Sequence, residues 1–516
     1  MKLNYKRTIL VGFAFFLISA FWQAYDATIP VILTNKFGMS QTWSGVIMAL
    51  DNILAVFMLP LFGALSDKCI TRHGKRTPFI AIGTVVAATA IICLSFVDNA
   101  QLQNISAVSA IDDPAALEII YDTQSDTKLL TPEGDTVVLR DAFTREEFTT
   151  IRCKITDPET GRIITNPDYT NYVAPARQAY AAEKTAENTL PLILFIGLLL
   201  VVLVAMATFR SPAVALMPDV TIKPLRSKAN AVINLMGTAG GILVLVLGMV
   251  FSTSAVQNAM MRYTVYYAVI AAIMLGALTI FLCTVREPEW AARMAADSIK
   301  YGIEEVADEG KKRNLSPAEV KSLICILLSI ALWYFGYNAV TSKYAVYAGN
   351  ILDKDYNTTM LLAQGAAIVA YLPAGAVASR IGRRKTILGG VVMLATAFGC
   401  AAFMRAASPT WVMNLLFALA GIAWATINVN SFPMVVEMCS GADIGKYTGF
   451  YYTASMTAQI ITPMLSGFLM DKMGMTVLFP YAAIFVALAF MTMFMVRHGD
   501  TKVTVKKGLE AFADED

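Results

Sequence analysis

Charge is what this sequence has least of. Only 15% of its 516 residues are Asp, Glu, Lys or Arg, where a soluble domain of average composition carries about 25%. A large soluble core needs a charged surface, and the deficit excludes that class. Histidine is almost missing, with only His73 and His498. No Cys-x-x-Cys or Cys/His spacing accompanies them, so no metal centre is expected. Seven cysteines occur, yet Cys153 alone falls in the long polar segment that reads as external, and no disulfide framework is expected there. A phosphate-cradling Walker A motif is also lacking, which argues against ATP-driven pumping. An enzyme and a bound cofactor are not expected. The net charge of +3 implies no polyanionic partner, so nucleic acid is not expected either.

Apolar sequence stands in place of charge. Hydrophobic residues make up 56% of the chain, and the mean hydropathy is +0.57. A helix needs about 20 apolar residues to cross the bilayer core, and backbone groups in lipid must be satisfied within the segment. The runs predict spans over 9–33, 42–64, 78–97, 189–217, 227–253 and 264–284. A second set follows over 322–342, 358–378, 386–404, 410–432, 447–470 and 477–496. The first run, Thr8 to Leu33, is too long for a signal-peptide core and lacks a small-residue cleavage site, so it reads as an uncleaved span. The expectation is an all-α membrane protein with twelve transmembrane helices in two pseudo-symmetric six-helix bundles.

The charges that remain set an orientation. Lys68, Arg72, Lys75 and Arg76 cluster after span 2, and Arg380, Arg383, Arg384 and Lys385 after span 8. The opposite loops hold only scattered cations: Lys36, Arg262, Lys343, Lys354, Arg405 and Lys472. The positive-inside rule then puts both termini in the cytoplasm of a multi-pass plasma-membrane protein. Between spans 3 and 4, residues 98–188 form a polar extracytoplasmic insert with turn signals such as TPEGD. CKITDPETGRIIT reads as a β-hairpin around Asp-Pro, and Ala174 to Asn188 as a helix entering span 4. A small folded cap and a disordered loop both fit that segment. The expected organisation is 1–284 for the N-terminal bundle with its insert, 285–321 for a charged cytoplasmic linker, 322–496 for the C-terminal bundle and 497–516 for a cytoplasmic tail.

The basic loops also reveal a repeat. GALSDKCITRHGKR runs from Gly63 to Arg76, and GAVASRIGRR from Gly375 to Arg384. Each sets small residues at a helix end, then a tight basic turn, then another span. Parallel repeats of this kind build two-bundle carriers with a site near the midplane.

At these residues the chain resembles the major facilitator superfamily, whose loop between spans 2 and 3 reads roughly GxxxD(R/K)xGR(R/K). Here Gly63, Asp67 and Lys68, then Gly74, Lys75 and Arg76, follow that pattern with extra residues in the turn. The longer form, SDKCITRHGKRTPFI, is similar to the plant sucrose transporters and to the glycoside-pentoside-hexuronide cation symporters. Pro212, Ala215 and Asp219, then Arg226 with Ala229, Asn230 and Ala231, resemble the plant pattern P-x-R-A-x-x-x-D followed by R-x-x-A-N. Two departures stand out: Val214 replaces the arginine of the plant pattern, and Ala55 stands where the glycoside symporters pair a second aspartate with Asp51. The resemblance implies secondary active transport by alternating access of a small solute such as a sugar or glycoside. The partners it implies are that solute, a coupling proton or sodium ion and the lipid bilayer, with the chain a monomer.

Candidate residues follow from the cost of polar groups in hydrocarbon. An ionisable side chain at mid-membrane costs roughly 2.5–3.5 kcal/mol on insertion scales. Asp51, near the middle of span 2, has no cation at i±3 or i±4 and is read as the proton-coupling carboxylate; a structural hydrogen bond to a neighbouring helix is the alternative. Gln23 and Asp26 in FWQAYDATIP share a face beside Trp22 and Tyr25, a mix suited to sugar hydroxyls and rings. Asn338 in span 7, Asn428 in span 10 and Gln459 in span 11 complete the substrate-binding set. Trp333 is read as core. Lys343 or Arg210 in the cavity would favour an anion. Asp67, Lys75, Arg76, Asp219, Arg226, Arg384 and Glu437 are read as gating residues, with Asp219 pairing with Arg76 and Glu437 with Arg384. For Asp67 the resemblance implies a contact with the start of span 11 that locks the halves outward-open. Other readings are a carrier of an organic acid or drug, and a membrane sensor that binds ligand through 98–188.

Overall fold

The computed structural model describes residues 3–156, 161, 163–222, 225–300, 315–436, 438 and 444–498. Long helices dominate. In the N-terminal half they are α1 (Tyr5–Asn35), α2 (Gln41–Lys68), α3 (Thr77–Asn104), α4 (Leu190–Val220), α5 (Arg226–Val250) and α6 (Thr264–Thr284). The C-terminal half has α7 (Pro317–Tyr347), α8 (Tyr356–Ile381), α9 (Arg383–Ala401), α10 (Thr410–Val436), α11 (Ile444–Met473) and α12 (Leu478–Phe494). Among the described residues ten helices are long and apolar enough to cross a membrane, and these include all of the twelve but α8 and α11.

Buried apolar residues form three clusters. One gathers α1–α6 with Trp290, a second gathers α7–α12 with Ala27 and Leu245, and a third lies inside the segment between α3 and α4. Close packing follows the small residues. A Cβ on Gly240 would collide with the Phe16 backbone, drawing α5 onto α1, and Gly248 lies against Asn357 of α8. A Cβ on Gly45 would strike the Pro463 carbonyl, and one on Gly467 the Gln41 carbonyl, so α2 and α11 cross backbone to backbone. Trp333 is fully buried, as expected.

The 98–188 segment is folded. Helices Pro114–Gln124, Arg145–Thr150 and Ala174–Glu187 surround Leu117, Ile120, Phe148, Tyr169 and Val173. Two antiparallel pairs accompany them, β1 (Leu129–Leu130) with β2 (Thr136–Val137) and β3 (Lys154–Thr156) with β4 (Ile163–Thr165). The second pair is the hairpin read from CKITDPETGRIIT; its Asp-Pro turn lies outside the described residues. Burial pushes the Cys153 thiol up to about 11, which suits an inert core group. The six described cysteines are all free.

One loop assignment changes, and a second loop cation is buried. Lys343, read as a loop cation, is fully buried within α7, which runs on to Tyr347. Its Nζ donates to the Gln41 carbonyl at 2.5 Å, which offsets the burial of the charge. Lys36, at the end of α1, is also fully buried. It pairs with Asp98 at 2.6 Å and donates to the Met261 carbonyl at 2.7 Å. A charge at a span end reads as loop in sequence, whereas here tertiary partners bury it.

Candidate functional site

A cavity of about 200 Å³ lies between the halves. Trp22, Tyr25 and Asp26 of α1, Met48, Asp51 and Asn52 of α2 and Arg210 of α4 line one side. Asn338, Thr341 and Ser342 of α7 with Gln459 and Pro463 of α11 line the other. Asp26, Asp51, Asn338 and Gln459, all singled out from sequence, therefore meet in one place.

Its chemistry is two acids, one base and a set of free donors. Asp26 and Asp51 are close enough to interact electrostatically, and Arg210 lies within electrostatic reach of Asp51. The Asp51 carboxylate accepts from Asn52 Nδ2 at 2.7 Å. Arg210 lies 5.7 Å from the Trp22 ring centroid, a cation-π arrangement. Trp22 Nε1, the Tyr25 hydroxyl and Asn338 Nδ2 are buried donors without a hydrogen-bond partner. Native proteins pair the large majority of such groups. Three in one cavity are a ready-made set of donors for a polar solute. Arg210 was weighed in sequence only as a possible anion contact, and its place opposite Asp51 had no local signal, since the two are 159 residues apart in the chain.

Two predicted contacts lie elsewhere. Gln23 is outside the cavity lining: its Nε2 donates to the Tyr356 hydroxyl at 3.2 Å, and its Oε1 accepts from Gln364 Nε2 at 2.5 Å. It bridges α1 to α8. Asn428 hydrogen-bonds with Tyr371 of α8 and is likewise outside the lining. Its neighbour Trp424 stacks on Tyr337 with ring centroids 3.6 Å apart.

Beyond the cavity, on the side of the insert, the halves are joined. The Asp471 carboxylate near the end of α11 accepts from the backbone N–H groups of Gln41 and Thr42 at 2.8 and 2.7 Å, and from the Thr42 hydroxyl. It thus caps α2, where the positive end of the helix dipole favours a carboxylate. Asn357 of α8 donates to Thr253 at 3.2 Å, and Ser254 donates to Asp355. The opposite end differs. There α2 and α11 present exposed apolar side chains, Phe57 and Leu61 on one and Tyr452 on the other.

The basic turn at that end is tied within its own half. Arg76 Nε donates to Asp219 at 2.8 Å, Lys75 lies 3.3 Å from the same carboxylate, and Arg76 also bonds Ser66 and Asp67. Asp67 therefore engages Arg76, and its side chain is 60% exposed. Residues 439–443, just before α11, lie outside the described residues, as do Glu437 and the Arg226 side chain. Arg384 donates to the Phe494 carbonyl at 2.6 Å, at the end of α12. Sequence reading missed Glu287. Buried just after α6, it accepts from the backbone N–H groups of Lys75, Arg76 and Thr77 at 2.8–2.9 Å and so caps α3. Gly74 makes room: its φ is +108°, and a Cβ there would collide with the Glu287 carboxylate.

The chain is similar to known proteins in sequence and in fold. A family model described as MFS/sugar transport protein matches residues 10–108, and one described as Major Facilitator Superfamily matches 326–512. The MFS-type transporter ppzB of Metarhizium majus is 28% identical over 124 residues, 24% of this chain and 26% of that protein. The sucrose transport protein SUC4 of Arabidopsis thaliana is 30% identical over 74 residues, 14% of each. The matched stretches thus span about a quarter or less of these curated relatives. Among solved structures, the xylose transporter XylE from E. coli in its inward-open conformation aligns with a TM-score of 0.58 at 15% identity. That alignment covers 99% of this chain and 100% of the other. A point mutant of the nucleoside transporter NupG aligns with a TM-score of 0.52 at 13% identity, covering 95% and 100%. Both ends match models of one superfamily, the fold of its solved members runs through the whole chain, and the basic turn carries its pattern: this multi-pass membrane protein belongs to the major facilitator superfamily of transporters, which are not enzymes.

Proposed function

We propose that the chain is a secondary active transporter that moves a small polyhydroxylated solute, a sugar or glycoside, by alternating access. In this reading all twelve long helices span the membrane as two six-helix bundles, 1–284 and 322–496, joined by a cytoplasmic linker. Positive-inside asymmetry supports cytoplasmic termini and an external insert, in the plasma membrane and as a monomer. The observation that carries the proposal is the inter-half cavity with its unpaired donors from Trp22, Tyr25 and Asn338 beside Asp26 and Gln459. Sugar hydroxyls accept from such donors and give to such carboxylates, and an aromatic face suits a sugar ring. The likeness to sucrose and xylose transporters points to the same solute class.

Asp51 is the proposed proton carrier. It lines the inter-half cavity together with Arg210 and accepts a hydrogen bond from Asn52. A cavity-facing carboxylate beside a cation can take up and release a proton as its surroundings change between the two sides of the membrane. Gln23 and Asn428, first read as substrate contacts, are assigned here to helix packing. Asp67, Lys75, Arg76 and Asp219 form the proposed inner gate with Arg226, Arg384 and Glu437. The bonds between the halves on the insert side support reading the conformation as inward-facing. A second reading, a carboxylate-bearing solute, rests on Arg210 in the lining.

Uptake into proteoliposomes across a panel of labelled sugars and organic acids, with and without a pH or sodium gradient, tests the proposal. Accumulation of a sugar driven by an inward proton gradient is expected. Accumulation of organic acids alone would favour the second reading, and none under either gradient would overturn both.

A further inference from the structure

The insert has a use that the cavity does not explain. Both its ends are rooted in the N-terminal half, since it leaves α3 at Asn104 and enters α4 at Leu190. It also packs on that half. Gln178 Nε2 donates to the Met39 carbonyl at 3.0 Å, Gln101 Nε2 donates to Thr185 at 2.9 Å, and Gly38 leaves no room for a Cβ against Ala182. Its apolar core consists of residues from 102 to 181 plus Met260, all N-terminal.

Across the seam the contacts have another character. Asp353, just past α7, accepts from the Thr165 N–H at 2.8 Å, from the Thr165 hydroxyl and from Lys154 Nζ at 3.0 Å. It holds a left-handed backbone, φ +48°, that few non-glycine residues adopt. At a second point the Met475 N–H donates to the Pro132 carbonyl at 2.7 Å. There Gly134 and Gly474 meet backbone to backbone, and a Cβ on either would collide. Between these points the insert roofs a space of about 250 Å³ floored by Gln41 and Asp471 of the α2–α11 seam. An apolar core on one side and a few polar bonds on the other is the build of a part that stays with one half and lets go of the other. Polar bonds exchanged with water contribute little net free energy and break readily.

We infer that the insert is a latch: docked on Asp353 and on the Gly474–Met475 turn it holds the α2–α11 seam shut, and it must release both points whenever the cavity opens on its own side. The inference rests on the alternating-access reading. A Pro132→Cys/Met475→Cys pair, in a background with the exposed Cys283 and Cys400 replaced by serine, closes or frees the latch with oxidant or reductant. A cysteine replacing Ser342 in the cavity lining reports opening through its labelling by a membrane-impermeant maleimide from the insert side, read at that residue alone by peptide mass spectrometry so that the latch thiols do not contribute. Reduced protein is expected to label, and oxidised protein to fall to background and recover on reduction. Asp353→Ala without the cross-link is expected to label about tenfold faster, the loss of charge-assisted hydrogen bonds read as a population shift. Equal labelling of oxidised and reduced protein overturns the latch and leaves alternating access standing. A reduced protein that never labels from that side removes alternating access, and the latch with it.

Discussion

Asp51 and Glu287 are both carboxylates near span ends or centres, yet their surroundings give them different work. Glu287 spends both oxygens on the N–H groups that open α3. Glu287→Ala is expected to cost about 1–3 kcal/mol by leaving those donors unpaired, read as a lower thermal unfolding temperature in detergent. Gly74→Val should destabilise at least as much, since it meets the same carboxylate and has to adopt a positive φ. Asp51 faces a cavity, and its role there is chemical. Why it and Asp26 stood out in sequence is plain: an acid in an apolar run has few reasons to be there. Gln23 and Asn428 share the helical periodicity of cavity residues, but periodicity fixes a face and not the neighbour that face meets. Their amides are taken up by α8. Glu287 gave no signal, because its partners lie more than 200 residues away in the chain.

At the scale of elements, helix positions were legible because hydrocarbon imposes length and apolarity together. The reading of 264–284 coincides with α6. Where it fell short, as at α7, a buried lysine broke the apolar run. The Lys36–Asp98 pair illustrates what such burial demands. Lys36→Met alone should destabilise by about 3–5 kcal/mol through the stranded carboxylate. Lys36→Met with Asp98→Leu should recover most of it, a contrast that chemical denaturation of the two proteins reads. The insert carried turn and hairpin signals in its sequence, but its docking surface is tertiary. Burial works against the charge of Asp353, while hydrogen bonds from Thr165 and Lys154 outweigh it and hold the carboxyl below its ordinary value. A depressed carboxyl lends stability above the free value, near 3.9, and that stability is lost as pH falls through the docked one. Insert docking should therefore be constant from neutral to mildly acidic pH and weaken only below the ordinary carboxylate range. The distance between spin labels at exposed Glu146 of the insert and exposed Phe403 of the α9–α10 connection measures it. A change near neutrality would assign the docking to another group.

For the whole molecule, two clusters of helices meet at a polar cavity, bonded together on the insert side and presenting exposed apolar side chains on the other. In the proposed alternating access one set of bonds is exchanged for another: Asp471 on α2 and the insert on Asp353 yield as Asp67 and its neighbours find partners across the opposite end. In the proposed function Asp51 couples this exchange to a proton. The most direct test is to compare gradient-driven uptake with counterflow in the Asp51→Asn protein, using the solute that the panel identifies. Counterflow requires the cavity to bind and reorient but needs no proton gradient. The expected result is counterflow retained with pH-driven accumulation lost. Unchanged pH-driven accumulation in Asp51→Asn would contradict the proton role assigned to this cavity.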